Sequence, residues 1–117
     1  MPRIKQLKVK ISEKEIQKQI LQFLTAYKIF VFRNNTTGVY DPVKKIFRPL
    51  SGFSLRGVAD ILGLTPEGRF LAIEVKTATG RQTFEQKQFE DAVKANNGIY
   101  ILARSIDDVR WLVEAQR

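Results

Sequence analysis

The stretch 58–76 constrains this chain most. Residues 58–64 and 70–76 are two apolar, β-prone runs around Thr65-Pro66-Glu67-Gly68, which puts Pro and Gly where a tight turn uses them. The pair therefore reads as a hairpin. Alternation along the second run sends Leu71, Ile73 and Val75 to one face and Ala72, Glu74 and Lys76 to the other. Thr83-Phe84-Glu85-Gln86 then forms a capping box for a helix that carries Phe89, Ala92 and Val93 inward and stops at Asn97-Gly98 in a left-handed cap. Ile99-Tyr100-Ile101-Leu102 reads as a buried strand. Strands and helices interleaved in this way predict an α/β domain, a mixed β-sheet flanked by helices.

The remaining segments extend that plan. Ser12-Glu13-Lys14-Glu15 is another capping box, and Ile16, Ile20, Leu21, Phe23 and Leu24 recur at helical spacing to about Tyr27. Ile29-Phe30-Val31-Phe32 predicts a strand, and 38–48 a hairpin with Asp41-Pro42 in its turn. Residues 49–57 form an irregular link in which Gly57 allows a tight bend. Ser105 caps a last helix with Val109, Leu112 and Val113 inward and Trp111 in its packing. Residues 1–11 read as a basic arm or short strand. The predicted order is α-β-(β-hairpin)-β-β-α-β-α in one domain, 1–117, with no internal repeat; 117 residues can bury a sizeable core.

Charge narrows the function. The chain has 20 Lys+Arg, 12 Asp+Glu, and neither Cys nor His. Disulfide scaffolds, thiolate or imidazole zinc sites, and Cys- or His-dependent nucleophilic catalysis are excluded by inventory. Residues 1–58 carry 12 basic and 3 acidic side chains, and residues 59–117 carry 8 and 9. A basic half beside a near-neutral half predicts a surface that meets a polyanion, above all nucleic acid. Lys44, Lys45, Arg48 and Arg56, shortly before Asp60, are the candidate phosphate contacts; the alternative is a solvated hairpin edge that lysines protect from strand pairing. Tyr40, Phe47 and Phe53 could stack on unpaired bases or form a small core under the loop. No apolar run reaches the roughly 18 residues of a membrane span, and the first residues do not look like a secretion signal. A soluble, intracellular protein with no membrane partner is expected.

A five-residue connection in the 58–76 hairpin sets Asp60 directly across from Glu74, with Lys76 beside them. Two carboxylates that converge repel unless a cation sits between them. Asp60, Glu74 and the backbone carbonyl of Val75 could hold Mg2+ or Mn2+, hard cations that prefer oxygen. Such an ion lowers the pKa of a bound water and neutralises charge developing on a phosphate. Lys76 could orient that water or stabilise the transition-state anion. The structural alternative is an acidic pair relieved by Lys76 at a solvated strand end.

Gly57-Val58-Ala59-Asp60-Ile61, Gly68-Arg69-Phe70-Leu71-Ala72-Ile73-Glu74-Val75-Lys76 and Thr83-Phe84-Glu85-Gln86 with Phe89 resemble the virus-type replication-repair nuclease (VRR-NUC) domain. That domain is a branch of the PD-(D/E)xK nuclease superfamily. The resemblance spans about residues 13–113. It implies a restriction-endonuclease-like core and divalent-metal-dependent cleavage of phosphodiester bonds in branched or flapped DNA. It also implies roles: Asp60 and Glu74 on the metal, Lys76 on the attacking water, and Gln86 lining the site from its helix; the alternative for Gln86 is to be only the partner of Thr83 in the capping box.

The family further has a glutamate three residues before an apolar position of its first helix, which Glu13 matches through Ile16. At 100° per residue Glu13 lies within about 20° of Ile20 and Leu24, whereas Glu15 lies about 200° away on the solvent side. Glu13 is therefore the candidate near the metal, directly or through water, and its alternative role is to complement the positive helix N-terminus. The expectation is a viral or bacterial structure-selective endodeoxyribonuclease acting on four-way junctions as a homodimer, since paired incision needs two sites. The rival readings are a non-catalytic nucleic-acid-binding module and a flap or restriction-type nuclease on the same fold.

Overall fold

The computed structural model describes residues 10–34, 39–48 and 55–114, and leaves out the side chains of Val39, Tyr40, Phe47 and Arg48. The expected basic arm, most of the 49–57 link with Phe53, and the contacts of Tyr40, Phe47 and Arg48 lie outside the described residues. The elements are α1 (Glu13–Ala26), β1 (Phe30–Arg33), β2 (Val39–Asp41), β3 (Ile46–Arg48), β4 (Ile61–Leu64), β5 (Phe70–Val75), α2 (Phe84–Ala95), β6 (Ile99–Ala103), a 3-10 turn (Ile106–Asp108) and α3 (Arg110–Glu114). This is the expected order.

Four strands form a mixed sheet in the order β1-β4-β5-β6, antiparallel except for the parallel β5–β6 pair. Both faces are covered at the centre, so Leu71 to Lys76 are all buried. On one face Leu71, Ile73 and Val75 meet Ile16, Ile20 and Leu24 of α1 and Val109, Leu112 and Val113 near the C-terminus. On the other, Ala59, Ala72 and Tyr100 meet Val93 of α2, with Leu62 and Phe89 packed alongside. Ile20 and Leu24 are completely enclosed. Truncating either to Ala removes contacts worth about 2–5 kcal/mol.

Local chemistry sets the element ends. The Ser12 hydroxyl accepts from the Glu15 N–H, 3.1 Å, without the reciprocal bond expected from Glu15. The box at α2 is complete: Thr83 Oγ1 accepts from Gln86 N–H while Gln86 Oε1 accepts from Thr83 N–H. Asn97 takes a positive φ of 63° just past α2, as the left-handed cap required. In the β2–β3 turn the Asp41 carboxylate accepts from the N–H groups of Val43 and Lys44.

Three sequence expectations change. β4 begins at Ile61 rather than residue 58, because the chain bends through Gly57 first, at φ 75°. Ser105 caps a 3-10 turn before α3 and not α3 itself. Ala92 and Trp111 point outward, because two-sided cover leaves only a narrow buried stripe on each short helix. Among the described residues no helix is long and apolar enough to cross a membrane.

Candidate active site

The β4–β5 ladder pairs Leu64 with Phe70, Gly63 with Leu71, Leu62 with Ala72 and Ile61 with Ile73. One step further, Asp60 falls opposite Glu74, in the register expected from the five-residue connection. Asp60 takes up the end of the ladder with its side chain: Oδ2 accepts the Val75 N–H at 2.8 Å. Lys76 N–H points the other way, to the Ala103 carbonyl on β6. Since N–H and C=O of one strand residue lie on the same side, the Val75 carbonyl also faces Asp60.

Glu74 is 2% exposed. Its Oε1 accepts from Gln86 Nε2 at 3.1 Å and lies 3.7 Å from Lys76 Nζ. Its Oε2 is buried and accepts from no N–H or hydroxyl group among the described residues. Burial first, then the charge of Asp60 and a hydrogen bond with it, push the Glu74 carboxyl up to about 8; Lys76 opposes this, and Glu13 adds a smaller push upward. Without a cation, the acidic pair retains a proton at neutral pH.

These features fit a hard divalent cation. Two oxygen donors converge, one buried oxygen accepts from no N–H or hydroxyl group among the described residues, and no soft ligand is at hand. Asp60, Glu74 and the Val75 carbonyl would hold it. Among the described residues no three acidic side chains stand close enough to form a complete metal cage. Glu13 sits exposed on the first turn of α1 and reaches Glu74 through its charge. Mg2+ commonly keeps several waters and takes only one or two carboxylates from protein.

The N-terminus of α2 delivers Gln86, and Gly57 sets how closely it approaches. A Cβ on Gly57 would lie 2.3 Å from the Glu85 backbone carbonyl and 2.6 Å from Gln86 N. Arg56, next to it, is exposed beside Glu85 and Phe89, so the bend brings one candidate phosphate contact to the helix that carries Gln86. Lys44 and Lys45 are exposed at the tip of the separate two-stranded sheet.

Two supporting groups escaped the sequence reading. Arg104 donates to the carbonyls of Thr77 and Gly80 and so holds the loop after β5 in place. That loop packs on Lys76: a Cβ on Gly80 would touch the Lys76 stem at 3.4 Å. Gln82 donates to both Glu90 Oε1 and the Tyr100 hydroxyl under α2. Burial raises the Glu90 pKa, but hydrogen bonds from Lys94, Gln82 and Lys87 outweigh it and bring it down to about 2. No periodicity marks either group, because their partners are 8 to 27 residues away.

No known protein family, curated protein or solved structure significantly matches this chain.

Proposed function

We propose that this protein is a divalent-metal-dependent endodeoxyribonuclease with a restriction-endonuclease-like core of the VRR-NUC type, acting on branched DNA. The observation that carries the reading is the Asp60–Glu74 pair at the end of the β4–β5 ladder, with one Glu74 oxygen buried. Without a metal the pair is held together by a shared proton; a divalent ion in the proton's place would be bound by both carboxylates and by the buried Glu74 oxygen that no protein N–H or hydroxyl group serves.

Bound Mg2+ or Mn2+ would supply a polarised water and offset charge on the phosphate. Asp60 and Glu74 bind, and the Val75 N–H holds the Asp60 carboxylate in place. Gln86 fixes the Glu74 side chain through Oε1, leaving Oε2 for the ion. Lys76, 9% exposed, keeps its ammonium beside the pair, where it can orient the attacking water or steady the anionic transition state. The surplus of basic side chains in residues 1–58 supplies the phosphate-binding surface.

The test is incubation of the protein with linear duplex, flap and four-way-junction DNA in Mg2+, Mn2+ or EDTA. Cleavage is expected in either metal and none in EDTA. Binding without cleavage in every condition would leave the non-catalytic nucleic-acid-binding reading in its place.

A further inference from the structure

The face of the sheet that carries Glu74 continues beside α2 as a partly exposed apolar strip. Opposed residues in an antiparallel sheet share a face, so Phe30, Leu64 and Phe70 form one row across β1, β4 and β5, and Phe32, Leu62 and Ala72 the next. α2 covers Ala72 and partly covers Leu62. It leaves Phe30 62% exposed, Phe32 47%, Leu64 46% and Phe70 40%. Phe30 and Phe32 stand on the edge strand with ring centroids 5.9 Å apart, tilted by 60°.

We propose that Phe32 and Phe30 are stacking platforms for the unpaired bases next to the scissile phosphate, which makes a single-stranded arm part of the substrate. The proposal rests on the cleavage reading above. Asp60 is one diagonal step from Phe32 on the same face, about 7–8 Å away. A phosphate held at Asp60 and Glu74 therefore leaves its neighbouring base within reach of Phe32, and the following one within reach of Phe30. Ring spacing selects the strand state. Bases in a duplex repeat every 3.4 Å or so along the axis and cover one another's faces, whereas rings 5.9 Å apart and tilted by 60° accept two bases only when these are spread. Charge selects the occupant. The exposed cations Lys28 and Arg33 flank the two rings along the chain, which attracts a polyanion and disfavours a second copy of the same edge.

The experiment uses the full chain with Glu74→Gln, so that DNA stays intact, and flap DNA of both polarities carrying 2-aminopurine at the first or second unpaired position. Expected is a change in 2-aminopurine emission on binding at one or both positions, absent when Phe32→Leu is added. Flap affinity should fall about five- to a hundredfold with Phe32→Leu, and affinity for blunt duplex should stay constant. Leu keeps an apolar side chain opposite Leu62 in the ladder, and the emission signal from the parent reads the face independently of any variant's folding. Unchanged emission in the parent, or equal flap affinity in the variant, overturns the proposal. So does a variant that dissociates a dimer yet binds flaps normally, which would make the strip a self-interface. Cleavage by the native chain is measured in parallel: if it cuts DNA in Mg2+ while Phe32→Leu cuts flaps equally well, stacking alone fails; if it cuts nothing, the nuclease reading fails first.

Discussion

Burial and Asp60 hold the Glu74 carboxyl near 8 instead of 4.5. A carboxyl whose pKa rises on folding favours the folded state while protonated, so its contribution is complete below pH 4.5 and is lost as pH climbs through 8. In EDTA the melting temperature should therefore fall from pH 4.5 to 8, and Mg2+ at pH 8 should restore it by taking the place of the proton. Glu74→Gln should flatten both responses. A melting temperature equally flat in the native chain would mean that the pair is not coupled as described. In cleavage assays Asp60→Ala and Glu74→Ala should be inactive while binding DNA as well as or better than the parent, because a carboxylate facing phosphate has gone. Lys76→Ala should slow the single-turnover rate by roughly two to four orders of magnitude with little change in binding.

At the scale of elements, the site depends on where α2 begins. Gly57 sits at φ 75° against the Glu85 backbone. Gly57→Ala should push the helix N-terminus away and break the Gln86–Glu74 bond, lowering stability and metal affinity together, whereas Gly68→Ala, at φ 85° in open space, strains only its own turn. Metal titration followed by melting curves separates the two. On α1 the two glutamates differ by face. Glu13→Gln should weaken the metal response because its charge reaches Glu74. Glu15→Gln should do little, since the Glu15 side chain does not close the cap, and Ser12→Ala should cost about 1 kcal/mol. The reverse ranking of Glu13 and Glu15 in Mg2+ titrations would place the wrong face of α1 toward the site. The inward face of α1, Ile16, Ile20 and Leu24, was legible in the sequence, since a helix converts spacing into direction. The outward positions of Ala92 and Trp111 were not, because how much of a short helix is buried depends on the neighbours it meets.

At the scale of the molecule, two clusters, one on each side of the sheet, enclose β5, and that burial is the largest cause of the Glu74 shift. On the proposed nuclease reading the Asp60–Glu74 pair would cut one strand at a time, so resolving a four-way junction would require two copies related by a two-fold axis. Light scattering at micromolar concentration, with and without junction DNA, should show the dimer; a monomer in both conditions removes paired incision and leaves flap or nick cleavage. DNA affinity should also fall steeply with salt, as expected when Lys and Arg displace counterions from phosphate.

Residue order alone was enough for the succession of strands and helices, the caps at Ser12 and Thr83, and the Asp60–Glu74 register. Each follows from short-range geometry: a strand repeats every two residues, a helix every 3.6, and a turn of known length sets which strand residues face each other. The buried Glu74 oxygen, the hold of Arg104 on the loop after β5 and the exposed Phe30–Phe32 pair emerge only in three dimensions. Exposure and hydrogen bonding are set by what distant segments cover. Phe30 and Phe32 look like core residues in a string of letters, and become a surface because the sheet ends at β1 and α2 does not extend over them.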